Sequence, residues 1–195
     1  MTKKLAKNKK YAIIYIYYRL FQNFFLMTLD LKLIFEKQKI LDNLFAEYSS
    51  HNDLESGIDS KWEDKVIIAA IVEIAEFANE IESFKYWKVN KKSNYEKTIE
   101  EFVDAIHFLV SACIHFKTKQ IFETKFVQNK DINNQFKRVF ILASQFLLEK
   151  NQKILIELFE FFLGFIEILN WNIDQVTQAY LEKYAKNLER IKNQY

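Results

Sequence analysis

The chain has 195 residues, half of them hydrophobic and 28% charged, with a net charge of +2. That length supports one compact domain with a sizeable core, and 19 Phe, 10 Tyr and 3 Trp carry too much apolar surface for a chain that stays unfolded. Near-neutral charge argues against a dedicated nucleic-acid binder, the single Cys113 excludes an internal disulfide or an all-cysteine zinc site, and two Gly with no Pro leave no glycine-rich phosphate loop or dinucleotide fingerprint.

Residues 1–26 differ from the rest. Lys3, Lys4, Lys7, Lys9 and Lys10 precede the apolar run 11–26. Arg19, Gln22 and Asn23 break that run before it reaches the roughly 18–20 residues of a spanning helix. Three readings stand: a stretch ahead of the true start at Met27, an amphipathic surface helix, and a membrane anchor. The expectation is an N-terminal extension outside the fold, with the domain over 27–195.

From Met27 the apolar period is helical. Leu33, Ile34, Gln38, Leu41, Leu44 and Phe45 step by three and four, predicting a first helix over 29–48. A polar loop over 49–57 follows. A second helix is expected over 61–87, a polar turn over 88–94 and a third helix over 95–116. After a short segment near 119–128, helices are predicted over 131–149, 152–169 and 173–193, with Asp174 in the N-cap region of the last. No Val/Thr-rich alternation argues for a strand. The predicted fold is all-α: a single-domain helical bundle around a central antiparallel helix pair.

The apolar stretch 154–171 could suggest a membrane span. Its acids, Glu157, Glu160 and Glu167, fall on one helical stripe, which makes an amphipathic helix and not a lipid span. No stable membrane insertion is expected, and the localisation expected is cytoplasmic.

The second helix carries Glu73, Glu76 and Glu80 within about 60° of one another on the wheel. Like charges so spaced repel, by roughly 0.2–0.5 kcal/mol per adjacent pair on an isolated helix. The third helix carries Glu101 and Asp104 on one face, with His107 and Ser111 along the same edge. Glu73 to Glu101 and Glu76 to Asp104 are each 28 residues apart, and a hairpin turning near Lys88–Val89 brings the two acidic sets level. Four converging carboxylates are costly without a cation. Oxygen ligands with no second histidine and no usable cysteine suit Mg²⁺ or Mn²⁺. Acids spaced by three on a helix are more often a solvated face, and Glu157/Glu160, with no identified acidic partner, is read as surface or interface. The link mixes Phe84, Lys85, Tyr86 and Trp87 with Lys88, Lys91, Lys92 and Lys97: ammonium groups able to meet phosphate oxygens, and aromatic faces able to cover a base.

These residues resemble a known family, the dimeric all-α dUTPases within the all-α nucleoside triphosphate pyrophosphatases. The resemblance rests on Ile71–Glu80 (IVEIAEFANE), then Phe84-Lys85-Tyr86-Trp87, then Glu100–Phe108 (EEFVDAIHF). Phe35–Asp42 resembles the family's first-helix motif, and Ala179–Arg190 through Tyr195 its C-terminal motif. The resemblance implies Mg²⁺-dependent hydrolysis of dUTP to dUMP and pyrophosphate by a homodimer. It implies Glu73, Glu76, Glu101 and Asp104 as metal ligands, with Glu73 or Glu76 also acting on the attacking water. It further implies nucleotide contacts from Gln38, Lys85, Trp87, Lys183, Asn187, Arg190 and Tyr195. Glu80 and His107 are expected to support the ligands from behind. Tyr184, Ile191 and Gln194 depart from the family's usual Asn, Gln and Gly, which bears on the phosphate and base contacts.

Three rival readings stand beside this one. One is a related pyrophosphatase with another base preference, such as dCTP. Another is a carboxylate-bridged di-iron bundle, which wants two Glu-x-x-His pairs where this chain offers only Asp104 and His107. The last is a non-enzymatic helical interaction protein. The helices over 131–149 and 152–169 have apolar area to spare, and the sequence leaves open which helices would pair in a dimer.

Overall fold

The computed structural model describes residues 27–50, 62–92 and 94–193. The N-terminal segment 1–26, and the expectation placed on it, lie outside the described residues. Among the described residues six α-helices form the bundle: α1 (Lys32–Ser50), α2 (Trp62–Ile81), α3 (Tyr95–His115), α4 (Ile132–Glu149), α5 (Gln152–Ile168) and α6 (Ile173–Lys192).

Side-chain caps start several of them. Asn94, Asp131 and Asn151 accept backbone N–H bonds at the first turns of α3, α4 and α5. Asn172, not Asp174, caps α6, in a reciprocal capping box with Gln175.

Two short strands were not expected. β1 (Thr28–Asp30) pairs antiparallel with β2 (Ile121–Glu123), with Leu29 opposite Phe122. Three residues are too few to display an alternating pattern. Each strand buries only its middle side chain, Leu29 or Phe122, in the core.

The other boundary that differs is the end of α2. The helix stops at Ile81, six residues short of the expectation, because Glu82 takes a left-handed backbone (φ 56°). That conformation ends a helix.

α3 runs through the centre, packed by α2 on one side and by α1 and α6 on another. The shared core is aromatic. Phe77 meets Phe102 and Phe165 edge-on at 5.3 and 5.2 Å, and Phe102 stacks on Phe162 at 4.7 Å. Such pairs contribute about 0.5–1.5 kcal/mol beyond their burial.

α5 spends its apolar face inside this core: Leu155, Leu158, Phe159, Phe162, Leu163, Phe165 and Ile166 are fully buried. It is therefore not spare surface. Of the acids expected at a surface or interface, Glu157 stays half-exposed and Glu160 is buried. Glu160 is 3% exposed and pairs with Lys119 at 2.5 Å and Lys125 at 2.7 Å. Glu157 pairs with Arg138, and Glu167 with Lys130 and the Thr124 hydroxyl. Glu160 and Glu167 hold Thr124, Lys125 and Lys130 of the connection between β2 and α4, Glu160 also holds Lys119 ahead of β2, and Glu157 reaches α4 itself. Gly164 permits the approach: a Cβ there would lie 1.9 Å from the Lys125 carbonyl oxygen.

Candidate active site

The α2–α3 pair is the helical hairpin that the acidic spacing predicts. Glu73 on α2 and Glu101 and Asp104 on α3 each offer a carboxylate oxygen, all within 4.8 Å of one another. Glu76 lies one turn along α2, is exposed, and stands outside this trio.

The local electrostatics are those of crowded acids. Burial, then the charges of Asp104, Glu76 and Glu101, push the Glu73 carboxyl up to about 7. Burial raises Asp104 too, against the pull of Lys183. Two lysines offset the charge of α3: Lys97 meets Glu101 at 2.5 Å and Lys183, from α6, meets Asp104 at 2.6 Å. Lys183 and Lys186 also approach Glu100 at 3.4 and 3.5 Å. Lys97 thus turns toward the acids. Among the described residues no lysine pairs directly with Glu73. Oxygen donors of this kind fit a hard divalent cation.

A cleft of about 790 Å³ opens beside the cluster, between the start of α3 and the face of α6. Lys97 and Glu100 line one wall, Gln178, Glu182, Lys183 and Lys186 the other.

Gln38 sits behind the cluster in a buried polar network. Its Nε2 donates to Asp42 Oδ1 at 2.7 Å and Ser111 Oγ at 3.0 Å. Its Oε1 accepts from Tyr180 Oη and His107 Nδ1, both at 2.7 Å. At 3% exposure its amide is fully engaged with the protein. His107 stacks on Tyr180 at 4.2 Å and bonds Gln38, where the sequence reading expected it to orient a ligand carboxylate. Burial and the nearby Lys183 push the His107 imidazole down to about 3, so it is neutral. Among the described residues its Nε2 has no hydrogen-bond partner.

The remaining expected contacts are spread around this centre. Glu80 pairs with Lys92 at 2.8 Å. The Lys85 ammonium is held by Glu82 and the Asn79 carbonyl, both at 3.1 Å. Trp87 is 62% exposed in the α2–α3 connection, edge-on to Phe84 and Tyr86. Asn187 is buried on α6 and accepts from Arg190 at 3.2 Å. Tyr195 lies outside the described residues.

Sequence reasoning missed Glu82. It is 1% exposed and accepts from Lys88, Lys85 and the Lys92 amide. Hydrogen bonds from Lys88, then from that amide and Lys85, hold its carboxyl down at about 2. The only signal was an acid among closely spaced lysines.

Fold and site together define an all-α bundle with a carboxylate cluster at the seam of its central helix pair. The family model described as dUTPase matches residues 30–195. The chain belongs to that family, the all-α dUTPases, and the family supports a dUTP diphosphatase type of function. No curated protein matches it in sequence. Among the described residues no helix is long and apolar enough to cross a membrane.

Proposed function

We propose that the protein hydrolyses dUTP to dUMP and pyrophosphate with Mg²⁺, water adding across the α–β phosphoanhydride. The observation that carries this reading is the convergence of Glu73, Glu101 and Asp104 within a chain of the dUTPase family. These three carboxylates are the ones to hold the metal, with Glu76 within one helical turn as a further ligand or as the group that takes the water's proton. A bound divalent cation supplies triphosphate charge neutralisation and lowers the pKa of bound water.

The chain's own residues do the rest. Burial and the neighbouring acids raise the Glu73 carboxyl to about 7 without a metal, a crowding that a bound divalent cation would relieve. Lys183 and Lys186 on α6 line the cleft and, with Arg190, carry the positive charge that steadies the departing pyrophosphate. Trp87 offers an exposed aromatic face to the base. Asn187 supplies an amide edge for uracil. Gln38 acts through its network, holding His107 and Tyr180 in place behind the carboxylates.

A second copy of the chain is the partner proposed. Exposed Ile68 and Val72 on α2, and Ile141 and Leu148 on α4, are the apolar side chains that it would cover.

The test is pyrophosphate release from a panel of nucleoside triphosphates, with and without Mg²⁺. The expected result is release from dUTP that chelation abolishes. Faster turnover of dCTP would overturn the uracil assignment, and undiminished release in chelator would overturn the metal.

A further inference from the structure

The connection over residues 82–92 combines two features that are each unfavourable alone. Glu82 occupies the left-handed position just after α2, where a glycine is the usual residue. Its carboxylate is nearly sealed from water. Both features are compensated by the loop itself. Lys88 Nζ reaches both carboxylate oxygens at 2.7 and 2.8 Å, Lys85 Nζ one of them at 3.1 Å, and the Lys92 amide the other at 2.8 Å. Further bonds tie the frame down: Ser83 Oγ to Asn133 on α4 at 2.7 Å, Lys91 Nζ to the Ser83 carbonyl at 3.3 Å, and Lys92 Nζ to Glu80 at 2.8 Å.

The lysines of this connection are thus spent on its own architecture. What the frame presents outward is apolar: Phe84, Tyr86, Trp87 and Val89 are 47%, 92%, 62% and 95% exposed. The three rings meet edge-on, Trp87 being 6.1 Å from Phe84 and 5.1 Å from Tyr86. A few residues further on, Lys97 pairs with Glu101 of the acidic cluster.

We propose that Glu82 is a positioning residue: its carboxylate gathers the loop around itself and so holds the Trp87 ring ready for the nucleotide base. This rests on the reading that Trp87 covers the base. Glu82 touches no substrate and acts through the loop alone. The basic segment is therefore a brace for an aromatic platform and not a phosphate clamp.

The experiment uses the full chain with Glu82→Asn, whose side chain tolerates the left-handed backbone, and Glu82→Gln, which keeps length and removes charge. Trp87→Ala serves as the reference variant. Two measurements are made: tryptic cleavage after Lys85, Lys88, Lys91 and Lys92, located by mass spectrometry, and steady-state dUTP hydrolysis with Mg²⁺. For both Glu82 variants we expect faster cleavage confined to the loop. We also expect KM raised about tenfold with kcat within about twofold, because the carboxylate cluster is untouched. Unchanged cleavage in both overturns the proposal. So does cleavage spread across the helices, which would make Glu82 a general stabiliser. Faster loop cleavage with unchanged KM, while Trp87→Ala raises KM, overturns the role of Glu82 and leaves the platform reading standing. If Trp87→Ala also leaves KM unchanged, the platform reading falls and the proposal with it.

Discussion

Two acidic stripes, on α2–α3 and on α5, start from the same local spacing and end in opposite electrostatic states. Glu73 faces Glu101 and Asp104, and burial together with those charges lifts its carboxyl to about 7. Glu160 is more deeply buried by exposure, yet Lys119 and Lys125 more than offset the effect of burial and hold its carboxyl below the ordinary range. The helix that bears the acid does not decide between these fates. The element packed against it does: an acidic helix in one case, a lysine-bearing connection in the other. One cluster is left short of positive charge, and the other is saturated with it.

Replacements at the two stripes should therefore separate activity from stability. The largest effect is expected for Glu73→Gln, which should lower Mg²⁺-dependent pyrophosphate release by about 10³-fold while circular dichroism stays unchanged. Release at the original rate would break the comparison at once. Glu160→Gln should do the reverse. It strands Lys119 and Lys125 around a neutral group and should cost about 2 kcal/mol, since both lysines are half-exposed. Urea unfolding measures that loss, with kcat per folded molecule retained.

A pH series on the metal-free protein sharpens the contrast. The Glu73 carboxyl titrates at about 7 when folded, above its ordinary value of 4.5. The folded state holds this proton more tightly, so stability is lost as pH rises from about 4.5 and the loss is complete above about 7. After allowance for solvent screening the expected loss is about 1–2 kcal/mol. Glu73→Gln should flatten the profile, and Mg²⁺ should restore stability at pH 8. A profile that rises across this window would contradict the crowding of the cluster. The smallest effect is expected for Glu157→Ala. It breaks a half-exposed pair with Arg138 and should shift stability by about 0.5 kcal/mol or less.

Much of the site was legible because it depends on helical period. The paired spacing of Glu73 with Glu101 and of Glu76 with Asp104 requires only that two helices turn back near Lys88, and they do. The spacing did not separate Glu73 from Glu76. One faces α3 and the other faces outward, and a rotation of a few tens of degrees about the α2 axis decides it. Glu82 was hidden for a different reason. A left-handed residue breaks the period on which the reading relied, and its lysine partners lie in irregular backbone.

Composition and period alone determined an all-α bundle, its six helices, the central hairpin and the acidic faces of α2 and α3. These follow from side-chain spacing along a single element, and each helix carries its own record of them. Tertiary structure decided which acids meet acids and which meet lysines, that Gln38 spends its amide on His107, Tyr180, Asp42 and Ser111, and that β1 and β2 pair at all. Those outcomes depend on contacts between residues distant along the chain, and the strength of a charge or a hydrogen bond is set by the partner and the solvent around it.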